Sequence, residues 1–461
     1  MNDFLPVSGK QRIQRAIKLL PTDRTPWVPF AGVHCAFLTG LPADVYLKST
    51  KHIFHGVSKA VELYQPDGIP VVFDLQVEAE ALGCTLRWVK DNPPAVVSHP
   101  LEEGKGIEQL PVLDKDSGRI SICLEAAKML REFFPDIAMY GLVTGPFTLA
   151  VHLAGTNIFM QMMEAPEKVN TILAYCCNIS KQMAGWYLDA GCDVIAVVDP
   201  MTSQIDPISF EQFVSNPVGE VFDMIRNKNG LSSFFVCGFA QHNIEAMCNC
   251  KPDNISIDEN IPLDYVREVA GNHGISFGGN LKLTSVLSLG TKEDVEKHTL
   301  ETLRLGGKSG FIIAPGCDLV MDTPIENLQT VSKIVSRTSH ENNVETKTVH
   351  STGDTRDETT KHKAPDKVYI DIITLDSSSC APCQYMVVAM KQAAKGFGDR
   401  VACNEYSIKT KLGLQMMERL GVKNVPVTVI DGEISFVSQI PPKDIIQKAI
   451  KKKLVDKGLF K

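Results

Sequence analysis

The chain has 461 residues, 44% hydrophobic and 22% charged, which is ordinary globular material long enough for more than one domain. A net charge of -7 with no basic cluster argues against nucleic acid as a partner, and no stretch approaches the roughly 18 continuous apolar residues of a membrane span, so a cytoplasmic protein is expected. Thirteen cysteines, an odd number spread through apolar segments and loops alike, do not resemble a secreted disulfide framework.

In chain order, an amphipathic helix near the start leads into eight strand-like runs at 27–33, 69–74, 137–143, 193–199, 233–238, 254–258, 275–280 and 310–314. Most are apolar without alternation, as in parallel strands covered on both faces. Helical segments lie between them. "TKEDVEKHTLETLRLGG" carries a Thr cap, early acids and a Gly stop. The alternation predicts an α/β fold, a (β/α)8 TIM barrel over residues 1–335. From Ser336 to Asp366 the composition turns to Thr, Lys, Asp and Glu with almost nothing apolar, which predicts a disordered linker. Residues 367–461 then form a second, small α/β domain.

A barrel gathers the residues that close its strands on one face, where barrel enzymes work. His34 and Cys35 follow the first strand, Asp74 closes the second, Asp199 the fourth and Cys237 the fifth, and Cys317 follows the eighth. Duller roles exist for each. Lone cysteines such as Cys123, Cys176 and Cys192 are expected as inert packing, Asp74 or Asp199 as helix caps, and His34 as a hydrogen-bonded structural residue. Cys237 and Cys317 differ in that each directly adjoins a glycine, Gly238 and Gly316, at a strand's carboxyl end.

Taken together, "RIQRAIKLLPTDRTPWVPF", "FDLQVEAEALGC", "LVTGPFTLAVHLAG", "AGCDVIAVVDP", "FFVCGF" and "GGKSGFIIAPGCDLVMDTPIENL" resemble the uroporphyrinogen decarboxylase superfamily, and within it the methylcobamide:coenzyme M methyltransferase branch. The resemblance implies a methyl group moved between a methylated corrinoid on a partner protein and a small-molecule thiol or folate acceptor. It also implies zinc held by a His-x-Cys pair and a later Cys. The two cysteines fall on Cys237 and Cys317, but Phe235 occupies the histidine position. His34 is the first substitute, with His242, Asp199, Glu78 and Glu80 behind it. Asp74 matches an aspartate of both branches, and Asp74 and Asp199 are the candidate catalytic acids. "GVHCAFLTG" lacks the arginines that hold a porphyrinogen's carboxylates, leaving a decarboxylase as the alternative and a non-catalytic scaffold as a third reading.

The last domain opens with "KVYIDIITLDSSSCAPCQYMVVAMKQAAKGF", a strand, a Cys-x-x-Cys and a helix, and it continues with "NVPVTVIDGE". This resembles the thioredoxin and glutaredoxin family, with Cys380 and Cys383 as the dithiol and Pro426 as the cis-proline beside it. A Cys at a helix N-terminus is acidified by backbone amides and the helix dipole, so Cys380 is expected to attack. Three uses for the dithiol stay open: keeping Cys237 and Cys317 reduced, reducing a disulfide form of the acceptor, or serving an unrelated partner.

Overall fold

The computed structural model describes residues 7–116, 118–338, 367–375, 377, 381–422, 425–438 and 440–459. Most of the 336–366 stretch expected as a linker therefore lies outside the described residues, as does Cys380.

Seven strands, Gly68–Pro70, Ala138–Thr144, Val194–Val198, Leu231–Val236, Asn254–Ile257, Ser276–Leu281 and Phe311–Pro315, form one all-parallel sheet in sequence order. Adjacent strands pair in steady register, for example Val197 with Phe234 and Phe235 with Ser256. The eighth stave is the segment at Trp27. It bridges to Ile313 on one side, and its carbonyl accepts the N–H groups of Asp67 at 2.9 Å and Gly68 at 3.4 Å on the other, closing the barrel. The strand expected over 27–33 is reduced to this one bridge because Pro26 and Pro29 have no N–H to continue a ladder.

Two apolar cores follow from the alternation of side chains along each strand. One lies between strands and outer helices. The other fills the barrel, where Phe30, Phe73, Tyr140, Val198 and Phe235 meet, and Ile13 and Ile17 from the helix Gly9–Ile17 join it. Cys237 and Cys317 pack against this inner core. The helix Lys292–Gly306 starts at a Thr291 capping box closed by Asp294 and stops at Gly307, as its sequence predicts.

The C-terminal domain is a four-stranded sheet in the order Val401–Ser407, Val368–Thr374, Val427–Ile430, Glu433–Val437, with only the first pair parallel. The helix Ala381–Ala394 carries Cys383 in its first turn, and the Val425–Pro426 peptide is cis. This helix docks on the barrel. Tyr385 is buried in the barrel's outer core with its hydroxyl 3.0 Å from His152 Nδ1 and its ring beside His99. Gln384 Nε2 donates to the Val96 carbonyl at 2.6 Å, and Lys409 Nζ donates to Asn92 Oδ1 at 2.9 Å.

Candidate functional site at the barrel mouth

The carboxyl ends of the strands open on a cavity of about 100 Å³. Cys237, Asp258, Cys317 and Asp318 line it from the barrel, and Val33, Phe73 and Leu319 give it apolar walls. Its roof comes from the second domain, through Leu375, Pro382, Lys409 and Val425. Pro382 lies inside the Cys-x-x-Cys motif and Val425 precedes the cis-proline, so residues flanking that motif cover the barrel thiols.

Cys237 and Cys317 are half-buried, line the same cavity and pack against the same inner core. Burial, with Cys317 next in size, pushes the Cys237 thiol well above its ordinary range. Tight backbone makes this approach feasible. Gly238 sits at φ 96°, a left-handed conformation that favours glycine, and its N–H donates to Asp258 Oδ2 at 2.9 Å. At Gly316 a Cβ would stand 2.4 Å from the Glu259 nitrogen.

Acids ring the thiols. Asp318 accepts the Gly32 N–H at 2.8 Å, and burial raises it to about 8. Glu259 is likewise raised to about 8, first by burial and then by the charge of Asp258. Among the described residues lining the cavity Lys409 is the sole cation. Asp258 and Asp318 were legible by the same strand-end rule that singled out Cys237, one closing "NISID" and the other following Cys317. Lys409 carried no such signal, since only docking brings it to the barrel.

The other expected site residues are engaged elsewhere. His34 is fully buried, stacked on Tyr64 and Phe37, with Nδ1 2.8 Å from the Met321 carbonyl and Nε2 2.7 Å from the Tyr64 hydroxyl. A carbonyl only accepts, so Nδ1 carries the proton and Nε2 accepts from Tyr64, leaving no lone pair for a metal. Burial lowers this imidazole to about 4. His242 Nε2 lies 3.0 Å from the Ile205 carbonyl, Glu78 accepts from Thr144, and Glu80 pairs with Arg119. Asp74 is salt-bridged to Arg119 at 2.6 Å and also accepts the Gln76 N–H. Asp199 accepts the N–H groups of Phe147 and Thr148 and the Thr148 hydroxyl, holding the first turn of the helix Pro146–Ala154. Neither acid lines the cavity.

Zinc was expected on Cys237, Cys317 and His34. A catalytic zinc takes three protein ligands and one open position. The structure brings together the two thiols and leaves His34 out, and among the described residues no three His, Cys, Asp or Glu side chains form a metal-binding group. Phe235 explains the gap. It is fully buried, its ring centroid 4.9 Å from Phe30 and 5.9 Å from Phe73, an apolar plug where the resemblance puts a ligand. The donor set does not fit the three-ligand site.

Burial raises Asp199 from 3.8 to about 6. A carboxyl that binds its proton more tightly folded than unfolded stabilises the fold below the unfolded value, and that contribution is lost as pH rises through the folded one. Denaturant midpoints at pH 4 and 6.5 should therefore show wild-type stability falling relative to Asp199→Asn across this window. An unchanged difference would place the charged acid comfortably in the fold.

The uroporphyrinogen decarboxylase (URO-D) family matches residues 8–338, which is most of the chain. The chain belongs to this family. A thioredoxin domain matches residues 368–451. The methylcobamide:CoM methyltransferase MtbA of Methanosarcina acetivorans is 26% identical over 340 residues, covering 71% of this chain and 97% of the relative. The uroporphyrinogen decarboxylase of Carboxydothermus hydrogenoformans is 25% identical over 276 residues, covering 58% of this chain and 77% of the relative. Among solved structures, a methyltransferase from Methanosarcina mazei superposes with a TM-score of 0.66 at 26% identity, covering 72% of this chain and 98% of that one. The expected fold is thus shown: a TIM barrel of this family followed by a C-terminal thioredoxin domain. No helix among the described residues is long and apolar enough to cross a membrane.

Proposed function

We propose that this member of the family is a methyltransferase that moves a methyl group between a methylated corrinoid on a partner protein and a small thiol. The observation that carries the reading is the Cys237 and Cys317 pair at the mouth of a barrel similar in sequence to methylcobamide:CoM methyltransferases and in fold to a methyltransferase. In the forward direction the acceptor sulfur forms a bond to the methyl carbon. The carbon–cobalt bond breaks with its electron pair left on cobalt, and the thiol gives up its proton. The apolar walls exclude water from the acceptor, and the protonated Cys237 thiol, held so by burial, is a donor toward a sulfur seated beside it.

Charge weighs against a porphyrinogen. The closed cavity of about 100 Å³ suits a small thiol, and any macrocycle needs a space several times larger. Many substrate carboxylates would meet Asp258 and Asp318 with Lys409 as the lining cation. A corrinoid ring is equally too large, so methyl transfer requires the C-terminal domain to leave the mouth.

The test follows loss of methyl-cobalt absorbance from methylcobalamin with a panel of thiols and folate, beside product analysis with uroporphyrinogen. Thiol-dependent demethylation without decarboxylation is expected, and decarboxylation alone would overturn the reading. Elemental analysis of anaerobically purified protein should find far less than one zinc per chain. Stoichiometric zinc lost in both Cys237→Ala and Cys317→Ala would overturn the two-ligand account of the site.

A further inference from the structure

We propose that Cys237 and Cys317 form a reversible disulfide that the C-terminal dithiol reduces across the cavity, making the chain an intramolecular thiol–disulfide relay. Three independent observations converge on this. The two barrel thiols line the same cavity, pack against the same inner core and lack a third metal-binding partner among the described residues. The roof of their cavity is the part of the C-terminal domain that flanks its Cys-x-x-Cys, namely Leu375, Pro382 and Val425, and the Leu375 N–H donates to Cys383 Sγ at 3.4 Å. The docking is built rather than incidental, since Tyr385, two residues beyond Cys383, is buried in the barrel's own core and bonded to His152.

The cycle starts when a peroxide or a small disulfide removes two electrons from the barrel pair, forming the Cys237–Cys317 bond and releasing two protons. A thiolate of the reduced motif attacks one barrel sulfur, an interdomain disulfide forms, and the other barrel sulfur leaves as thiolate. The second motif thiol then attacks the interdomain bond, closes the motif disulfide and releases the second barrel sulfur. Two electrons have passed from motif to barrel, and an external dithiol reductant restores the motif. Lys409, lining the same cavity, places a positive charge where thiolates appear. Tethering supplies the dithiol at an effective concentration on the order of millimolar, which a separate protein at micromolar levels would not match.

The experiment uses the full chain and does not depend on methyl transfer. Protein treated with diamide is mapped by non-reducing peptide mass spectrometry, and a Cys237–Cys317 linked peptide is expected. With limiting dithiothreitol, both barrel thiols should be regained at least about tenfold faster in wild type than in Cys383→Ser. Cys383→Ser should also accumulate an interdomain disulfide between Cys380 and Cys237 or Cys317. Cys403→Ser, in the same domain but off the cavity, should behave as wild type. If Cys383→Ser fails to fold by circular dichroism, Cys380→Ser serves instead, and its barrel thiols should be regained as slowly while no interdomain disulfide forms. Absence of the Cys237–Cys317 link after oxidation, or equal reduction rates with no interdomain disulfide, would overturn the relay.

Discussion

Replacing Tyr385 by alanine should expose the barrel thiols, raising the rate at which Cys237 and Cys317 are alkylated by about a hundredfold. Tyr385 is the buried anchor of the C-terminal domain, packed among barrel residues and bonded through its hydroxyl to His152. Truncating a buried aromatic costs about 3–5 kcal/mol, and each 1.4 kcal/mol lost from the docked state multiplies the open population roughly tenfold. Alkylation through a rapid opening equilibrium reports that population. Tyr385→Phe keeps the ring and loses only the hydrogen bond to His152, so its increase should be only several-fold. The readout is iodoacetamide labelling followed by mass spectrometry at the two cysteines. If methyl transfer requires the domain to leave the mouth, Tyr385→Ala should also speed demethylation of methylcobalamin. Unchanged alkylation in Tyr385→Ala would show that Tyr385 does not hold the roof in place.

Phe235→His should convert the thiol pair into a zinc site. Residues two apart on a strand face the same side, and Phe235 and Cys237 both pack on the barrel's inner core, so a histidine at 235 stands beside the two thiols. That supplies the third ligand whose absence leaves the wild-type set incomplete. Without metal, an imidazole buried against Phe30 and Phe73 should lower stability by about 1–3 kcal/mol. Zinc should restore it, since a ligand bound only by the folded state stabilises in proportion to the logarithm of its concentration over Kd. Elemental analysis should find about one zinc per chain in Phe235→His, and the thermal midpoint should rise with added zinc in the variant alone. A variant no better than wild type at holding zinc would mean that the side chain at 235 is not what separates this site from a metal centre.

Much of the fold was legible because it is written in short-range pattern. Uninterrupted apolar runs at 137–143 and 193–199 predict strands covered on both faces, and Ala138–Thr144 and Val194–Val198 are buried throughout. The Thr291 cap and Gly307 stop bound their helix as read. Strand over 27–33 shrinks to one bridge because Pro26 before the stretch and Pro29 within it lack the N–H groups of a ladder. At the site, the strand-end rule found Cys237 and Cys317 and overlooked Asp258 and Asp318, which obey it equally.

By itself the sequence determined the two folds, the thiols at two strand ends, and the Phe235 departure, because each depends on residue type at a local position. Tertiary structure alone decided what those residues do together. His34 reads as a rim ligand until Tyr64 and the Met321 carbonyl, thirty and nearly three hundred residues away in the chain, are seen to consume both ring nitrogens. Asp199 reads as a catalytic acid until the amides of Phe147 and Thr148 claim it. The roof over the cysteines is a contact between the barrel and the C-terminal domain. It is set by the match of Tyr385 to a pocket beside His99 and His152, and no periodicity along the chain encodes such a match.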